Sequence, residues 1–546
     1  NLREGTMKGT LLAVLDATVT SMGGRLLRRW ITEPLLQRKA IETRLNAVEE
    51  LTKKVILREE MRDLLQNMYD LERLMGRINY GTATPRDVVA LRHSLSHIPV
   101  LREKLQDISS ELLSSLAEME TLEDLTTLLH AAIRDDAPLS LREGGIMKKG
   151  FNAPRDELED LQRNSKMFLQ ELEERERQKT GISTLKLGFT KVFGYFLEVT
   201  RKNVPLVPAH YMRKQTTVNG ERYITEELKD VEEKILGAEE KMIELEYALF
   251  QEVIRSISVR TVGIQEAAYH IAVLDVLCTF ARVACERGYG KPECTEENSI
   301  HIVNGRHPVV EMMVEQFIPN TVTLNEGEMM IITGPNMSGK STIMRQTALI
   351  VLMAQIGSFV PAERAVLSIV DRIFTRVGAY DDLSSGQSTF MVEMTETASI
   401  LHNATEKSLI ILDEIGRGTS TFDGVSIAWS VAEYIHHKVQ AKTLFSTHYH
   451  VLNKLGEKFP KVKNYNVAVK EVGEEVILLH KLVEGGTDQS YGIHVAKLAG
   501  LPSEVVERAK EIQSILEKDD DMMRKIKVKR LEEQKSLGEY AGEKNG

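Results

Sequence analysis

Residues 334–341 constrain the fold of this chain more than any other feature of its 546-residue sequence. The run follows four apolar residues, 329–332, which have the length and composition of a buried strand, and a helix-favouring stretch comes after it. Its glycines suit a loop that turns out of a strand and into a helix. This strand–loop–helix order predicts an α/β domain. The run reads Gly334-Pro335-Asn336-Met337-Ser338-Gly339-Lys340-Ser341, with Thr342 next.

The spacing of this run, G-x-x-x-x-G-K-[ST], suits the binding of a nucleoside triphosphate. Glycines let backbone N–H groups approach the β- and γ-phosphates, Lys340 supplies a positive charge, and Ser341 supplies a hydroxyl to Mg²⁺. A glycine-rich turn could carry the same letters by chance, but the strand before it and the helix after it disfavour that interpretation. We therefore predict ATP and Mg²⁺ as cofactors, bound by residues 334–342.

Two carboxylates follow a second apolar run, residues 409–412. At the end of a buried strand, Asp413 can hold Mg²⁺ directly or through water, and Glu414 can orient and polarise an attacking water. Solvated acids are the alternative, which the nearby phosphate loop disfavours. His448 follows a third strand-like run, 443–446, and its resemblance to the switch histidine of ABC-type ATPases implies a role in sensing the γ-phosphate. The candidate catalytic residues are Glu414, His448 and Lys340, and the candidate metal ligands are Ser341 and Asp413.

The rest of the chain is predicted to be helical, with one β-rich insertion. Apolar residues recur three and four apart from 11 to 178 and from 226 to 287, and charged residues, 27% of the chain, fill the other faces. Residues 157–179 have so few apolar positions that we expect a solvated, projecting helix. Residues 181–223 instead alternate apolar and polar side chains, many of them β-branched or aromatic.

The insertion is basic in a chain of net charge −10. That contrast favours contact with a DNA backbone over a plain solvated sheet. The candidate DNA-binding residues are Lys186, Lys191, Arg201, Lys202, Arg213 and Lys214.

Composition disfavours several other classes of protein. The three cysteines are too few for a disulfide framework and match no zinc spacing, so buried thiols in a reducing compartment are expected. The longest apolar stretch, residues 348–354, is far shorter than the ~20 residues of a membrane span, and no membrane partner is expected. We expect no signal peptide and a cytoplasmic, nucleoid-associated location. Because the chain opens at Asn1 in what reads as the middle of a sequence, we expect a fragment.

Four stretches around the phosphate loop resemble the MutS family of DNA mismatch-repair ATPases. They are residues 333–342, residues 388–394, residues 413–424 and residues 446–449. Residues 383–389 also resemble the signature loop of ABC-type ATPases. Further upstream, residues 192–195 and 211–216 resemble the family's DNA clamp, and residues 22–27 resemble the start of its lever and core helices. The resemblance covers nearly the whole chain.

The resemblance implies roles for matching positions. Asn336 would help to hold the phosphates and Mg²⁺, and Ser388 would reach across a homodimer of ATPase domains to the ATP of the second copy. Phe317 and His480 would sandwich the adenine, and residues 490–502 with the helix after them would help to lock the dimer. The family also implies double-stranded DNA and a MutL-type repair protein as partners.

The fold class predicted from these observations is multidomain. An α-helical lever and core domain carries a small inserted β clamp, and an α/β P-loop ATPase domain of the ABC type and a short helical dimerisation element follow. The predicted bounds are 1–180 and 229–297 for the two parts of the helical domain, 181–228 for the clamp, 298–500 for the ATPase domain, 501–518 for the dimerisation element and 519–546 for a polar tail expected to be disordered.

This chain also departs from the family's pattern. Ser338 stands where many members have glycine, and we expect little effect because it is small and Gly339 follows. The N-terminal domain that reads mismatches with a Phe-x-Glu wedge, and the connector domain after it, are expected to be missing. Phe196-Leu197-Glu198 spells that tripeptide, but the alternating pattern around it predicts a paired strand with one face packed.

The leading hypothesis is the ATPase, lever and clamp portion of a mismatch-repair protein, in which ATP closes a dimer around DNA and hydrolysis resets it. A second keeps the ATPase but assigns it to branched or recombining DNA without mismatch recognition. A third is a binding and dimerisation module with negligible turnover, which Glu414 argues against. A transporter ATPase fits less well, because such domains lack some 300 residues of helical lever and clamp before the phosphate loop.

Overall fold

The computed structural model describes residues 9–190, 192–377, 389–472, 475–487 and 491–515. The chain divides into two compact units. We name them the helical unit, residues 18–27 and 54–278, and the α/β unit, residues 1–17, 28–53 and 279–546.

The first part of the chain is helical, as its apolar spacing predicts. Helix ends follow local capping chemistry: at the sixth helix the Thr84 side chain accepts from Asp87 N while the Asp87 side chain accepts from Thr84 N, with Pro85 in the first turn. The helices are α1 (Leu11–Leu15), α2 (Ser21–Thr32), α3 (Arg38–Lys53), α4 (Val55–Gln66), α5 (Leu71–Asn79), α6 (Pro85–Leu95), α7 (Ile98–Lys104), α8 (Glu111–Leu116), α9 (Glu123–Ala132) and α10 (Ala153–Thr180).

The insertion forms an antiparallel sheet of four strands among the described residues, in the order β1-β2-β4-β3. Alternation places Leu197 and Val199 on the face that packs against Leu169 and Leu172 of α10. The sheet is therefore built onto the helix that leads into it. The strands are β1 (Lys186–Thr190), β2 (Gly194–Thr200), β3 (Met212–Thr216) and β4 (Gly220–Ile224), and a 3₁₀ helix spans Arg201–Leu206.

The opposite face of β2 is also covered, which the expectation of one packed face did not include. Phe196 is 3% exposed and lies over Gly188 of β1, where a Cβ would come within 2.7 Å of its ring. The guanidinium of Arg222 stacks on the same ring, 4.2 Å from its centroid. Phe196 is thus a packed strand residue.

Helices α11 (Glu226–Val259) and α12 (Thr261–Arg287) follow the insertion. The expectation that residues 157–179 project into solvent is wrong along one face, because α10 packs against α11 and buries apolar side chains. Helix α12 is long and apolar enough to cross a membrane by length and composition, which the length of uninterrupted apolar runs does not indicate. However, 78% of its most apolar window is buried within the protein, as in a core helix of a folded domain.

The α/β unit contains a six-stranded sheet in the described residues, in the order β10-β11-β12-β8-β13-β14. Its neighbours are parallel except for the hairpin β13–β14. The strands are β5 (Glu293–Thr295), β6 (Ile300–Gly305), β7 (Asn320–Leu324), β8 (Met329–Thr333), β9 (Arg364–Ser368), β10 (Ile373–Val377), β11 (Leu409–Asp413), β12 (Lys442–Ser446), β13 (Val462–Val472) and β14 (Glu475–Glu484).

Helices pack on this sheet and complete the mixed α/β architecture predicted from residue 300 onward. On one face, Ala428 and Val431 bury against Ile410, Leu412 and Phe445. The helices are α13 (Lys340–Gln355), α14 (Thr389–Asn403), α15 (Thr421–Tyr434), α16 (Lys454–Lys458), α17 (Gly492–Leu498) and α18 (503–515), with 3₁₀ turns at Val310–Met312 and His450–Asn453 and a π-helical turn at Ile435–Val439. Strands β5, β9, β6 and β7 form a second sheet.

Contacts group residues 28–53 with the α/β unit, although the sequence assigns them to the helical domain. Leu35 exchanges hydrogen bonds with Gln355, whose backbone carbonyl accepts from Leu35 N at 3.0 Å and whose side chain donates to Leu35 O at 3.0 Å. Arg44 Nη1 donates to Ile356 O at 3.1 Å. These bonds tie the early segment to the end of α13; the predicted domain bounds stay predictions.

Candidate nucleotide-binding site

The phosphate loop lies between β8, whose five residues are all buried, and α13. The chain leaves the strand through Gly334 and enters the helix through Gly339, with φ angles of 135° and 104°. Residues that carry a side chain rarely adopt φ angles in this left-handed region, so glycine is needed at both positions. The first N–H groups of α13 have no helical partner and, with the helix dipole, attract an anion. Ser341 and Thr342 lie in that first turn.

Lys340 is buried within the loop, with 4% of its side chain exposed. Its Nζ donates to the carbonyl oxygens of Gly334 at 2.8 Å and Pro335 at 3.0 Å, and lies 3.9 Å from Glu414 Oε1. Burial lowers the pKa of Lys340, and the negative charges of Glu414 and Asp413 oppose that shift. The ammonium therefore holds two carbonyl groups of the loop and lies close to the acids at the end of β11.

Asp413 and its neighbour on β12 occupy one edge of the parallel sheet. The register pairs Asp413 with Ser446, and Ser446 Oγ donates a short hydrogen bond to Asp413 Oδ1. Glu414 N donates to Ser446 O at 3.1 Å. Sequence reasoning gave Ser446 no role; the signal was its position at the end of the neighbouring strand, which only the register makes specific.

Glu414 is surrounded by three basic side chains. His448 Nε2 lies 2.7 Å from its Oε1, Arg417 Nη1 lies 2.6 Å from its Oε2, and Lys340 approaches at 3.9 Å. Burial by itself raises the pKa of Glu414, but the contact with His448 and the charges of Arg417 and Lys340 outweigh it and lower that pKa. Glu414 is consequently a carboxylate at neutral pH. Arg417 lies in the stretch 413–424, but its contact with Glu414 was not predicted.

The turn after Glu414 is held by buried groups that the sequence did not single out. Gly416 has a φ of 92°, and a Cβ there would lie 2.6 Å from the Gly424 carbonyl oxygen. Gly416 N donates to Glu393 Oε1 at 2.5 Å, and Tyr449 Oη donates to Gly416 O at 2.8 Å. These contacts fix the direction in which Glu414 leaves β11.

A cavity of about 230 Å³ lies beside the phosphate loop. Phe317 and His480, which are 163 positions apart in the chain, both line it, together with Gly339 and Thr342. The structure therefore brings the two residues expected to sandwich adenine to one cavity that adjoins the loop expected to hold the phosphates. A flat aromatic base is a suitable occupant for a small cavity with an aromatic wall.

Comparison with known proteins identifies the family. The family model for MutS domain III matches residues 1–281, and the model for MutS domain V matches residues 330–517. This chain belongs to the MutS family. The resemblance read from the sequence motifs is thereby confirmed.

Curated relatives named DNA mismatch repair protein MutS agree with that assignment. The protein of Ruminiclostridium cellulolyticum is 54% identical over 540 residues, which are 98% of this chain and 62% of the relative. The protein of Caldicellulosiruptor bescii is 53% identical, with 98% and 63% covered, and that of Clostridium botulinum is 51% identical, with 95% and 57% covered. The chain thus spans about 60% of the length of these MutS proteins.

The predicted DNA-binding cations of this MutS-family chain lie on its insertion. Lys186, Arg201 and Lys202 are exposed. Arg213 lies 3.4 Å from Glu221, and Lys214 Nζ donates to Phe193 O at 3.2 Å. Lys191 and Ser388 lie outside the described residues, so the structure places neither of them. The roles assigned to all of these residues stay predictions.

Proposed function

We propose that this chain is the ATP-hydrolysing and DNA-holding part of a MutS DNA mismatch-repair protein. The observation that carries the proposal is the meeting of Lys340, Asp413 and Glu414 beside the cavity lined by Phe317 and His480. A phosphate loop, two acids and a base-sized cavity at one sheet edge are what binding and hydrolysis of ATP require. The names of the MutS relatives and their sequence identity to this chain favour a role in mismatch repair over a role on branched or recombining DNA.

The donor set fits Mg²⁺. The Asp413 side chain is a buried carboxylate, Ser341 carries a hydroxyl, and oxygen donors of this kind are what Mg²⁺ prefers. When bound, Mg²⁺ would neutralise charge on the β- and γ-phosphates.

In this proposal Glu414 orients the attacking water and accepts its proton. Because its pKa is lowered, the carboxylate is ionised and able to accept. Lys340 would move from the loop carbonyls to the phosphate oxygens, and His448 would report the γ-phosphate to the carboxylate that it contacts. Because a carboxylate oxygen accepts more than one hydrogen bond, Glu414 can hold this water while Arg417 and His448 stay in contact with it.

The partners belong to the same proposal. Double-stranded DNA would contact the basic insertion, a second copy would complete the ATP site with Ser388, and a MutL-type protein would receive the signal. ATP binding would close the dimer around DNA and hydrolysis would reset it. A protein that acts on DNA in this way would have a cytoplasmic, nucleoid-associated location.

The test is ATP turnover with and without DNA, by the chain and its Glu414→Gln variant. We expect DNA-stimulated hydrolysis by the unmodified chain, and a loss of about 10²–10⁴-fold in the variant with ATP binding retained, the usual contribution of a general base. Glu457→Gln, an exposed acid of the same unit, should behave as unmodified. Turnover that survives in Glu414→Gln would refute the catalytic assignment.

A further inference from the structure

The two aromatic walls of the base cavity come from separate segments that hold each other. Phe317 precedes the start of β7 at Asn320, and His480 lies within β14. Lys481 Nζ donates to Pro319 O at 2.7 Å, which already ties the second segment to the first. How each wall is oriented therefore depends on contacts between β7 and β14.

His480 has an unusual backbone for a strand residue. Its φ is 50°, in the left-handed region that non-glycine residues rarely adopt. The pairing of β13 with β14 also shifts here, since Val467 faces Leu482 while Val469 faces Leu478. Such bulges redirect a side chain, and a strained backbone persists only where its surroundings hold it.

Asn320 provides the hydrogen bonds that hold this strained backbone in place. It is 2% exposed, and its Nδ2 donates to His480 O at 3.0 Å and to Ile318 O at 3.1 Å, while its Oδ1 accepts from Leu482 N at 2.8 Å. Two carbonyls and one N–H around the amide leave a single orientation of its oxygen and nitrogen that satisfies every partner. The amide thus bonds to the carbonyl of the strained residue His480, to Leu482 N at the end of the bulge, and to Ile318 in the segment that carries Phe317.

The His480 ring also reaches the phosphate loop. Its Nδ1 lies 2.8 Å from Ser338 O, so the ring donates to that carbonyl when Nδ1 carries the proton. His480 thus belongs both to the base cavity and to the support of the loop between Gly334 and Lys340. A displacement of the His480 backbone would disturb both.

We propose that Asn320 is a positioning residue for nucleotide binding, which fixes both walls of the base cavity and, through His480, the Ser338 carbonyl of the phosphate loop. The inference rests on the proposed function, that this site binds ATP. Asn320 lines the cavity but acts through backbone groups of its neighbours. Its loss should weaken recognition of the base more than recognition of the phosphates, and should act on binding more than on the chemical step.

The test compares Asn320→Asp and Asn320→Ala with the unmodified 546-residue chain. Asp keeps an acceptor for Leu482 N, loses both donations and, when ionised, repels the carbonyl oxygens of His480 and Ile318, whereas Ala removes all three bonds without that repulsion. We expect the Kd for ADP and the KM for ATP to rise about tenfold or more, because two buried carbonyl oxygens lose their donor, with kcat within about twofold. The Kd for inorganic pyrophosphate, which has no base, should rise much less.

Asn325→Ala is the matched control, because that amide lies just past the end of the same strand and bonds only to Glu328 of the following turn among the described residues. It should leave all four constants, the Kd for ADP, the Kd for pyrophosphate, the KM for ATP and kcat, unchanged. Thermal unfolding of each variant separates a local effect from a general loss of folding. In a His480→Ala background, Asn320→Asp should weaken ADP binding less than it does in the unmodified chain, since the part of its effect that acts through His480 is already lost.

Equal weakening of ADP and pyrophosphate, or full additivity with His480→Ala, would overturn the inference. So would ADP binding by Asn320→Asp that matches the unmodified chain. Failure of the unmodified chain to bind ADP at all would instead reject the proposed function.

Discussion

The phosphate loop and the β insertion use positive charge in opposite ways. Lys340 is 4% exposed, donates to two loop carbonyls, and has a pKa lowered by burial. Lys186, Arg201 and Lys202 of the insertion stay exposed. In the proposed function the buried charge of Lys340 acts on the phosphate oxygens of one ligand, so its loss removes a specific contact. Exposed charges act on a polyanion through their sum, so each contributes little and salt screens them all.

The sharpest test of this comparison is Lys340→Met. We expect the affinity for ATP to fall about a hundredfold or more, because a charged group that donates to phosphate contributes several kcal/mol in a buried site. Isothermal titration with ATP measures the loss. Lys461→Met, an exposed lysine of the same unit, should change nothing. A Lys340→Met chain that binds ATP normally would remove the difference between the two regions.

Lys442 shows how burial affects a lysine for which no ligand is proposed. It is 0% exposed, and Asn298 Oδ1 is its hydrogen-bond acceptor in the described part of the chain. Burial lowers its pKa from 10.5 to about 8. Between these values the unfolded chain binds more protons than the folded one, so stability rises with pH from about 8 to 10.5 and the full cost is present below pH 8.

Lys442→Met should therefore remove a pH dependence. The free energy of unfolding of the unmodified chain should gain about 3 kcal/mol relative to the variant between pH 7 and pH 11, and the variant should be the more stable one at pH 7. Denaturant unfolding at both pH values measures this. A constant difference between the two proteins would show that the folded-state pKa is not lowered.

The insertion should respond to charge gradually. Arg201→Gln with Lys202→Gln should weaken DNA binding several-fold and reduce the slope of log affinity against log salt by about 1.8, the value for two phosphate contacts. Fluorescence anisotropy over a salt series measures both quantities. Lys229→Gln with Lys241→Gln removes the same charge from the exposed side of α11 and should leave the slope unchanged. Equal effects of the two pairs would mean that the insertion is not the DNA contact.

A further test concerns how the insertion is attached to α10. Tyr211 Oη donates to Glu176 Oε2 at 2.6 Å, on a carboxylate that is 4% exposed. Tyr211→Phe should lower the free energy of unfolding by about 1–2 kcal/mol. Hydrogen exchange of the backbone amides of β3 and β4 measures the change. Burial alone raises the pKa of Glu176, but the bonds from Tyr211 and Lys179 outweigh it and lower that pKa. The difference should thus be present above the ordinary glutamate range and shrink as the pH falls; a difference that persists in acid would contradict it.

Much of the fold was predictable where the pattern is local. The helical spacing before residue 178, the alternation that became β1–β4, and the strand before the phosphate loop are short-range features, and all appear in the structure. Burial of Phe196 beneath Arg222 was not predictable, since Arg222 lies on β4 and reaches the ring only because β2 and β4 are neighbours. The expectation that residues 157–179 form a solvated, projecting helix is wrong along one face for the same reason, because α11 packs on that face of α10.

The sequence by itself determined the phosphate loop, the adjacent Asp413 and Glu414, and the excess of positive charge on the insertion, because these depend on residues that are neighbours in the chain. Only the tertiary structure decided that Ser446 contacts Asp413, that Arg417 and His448 share Glu414, and that Asn320 holds the backbone of His480. Strand register, a bulge and burial bring those groups together, and both hydrogen bonding and desolvation depend on neighbours in space rather than along the chain.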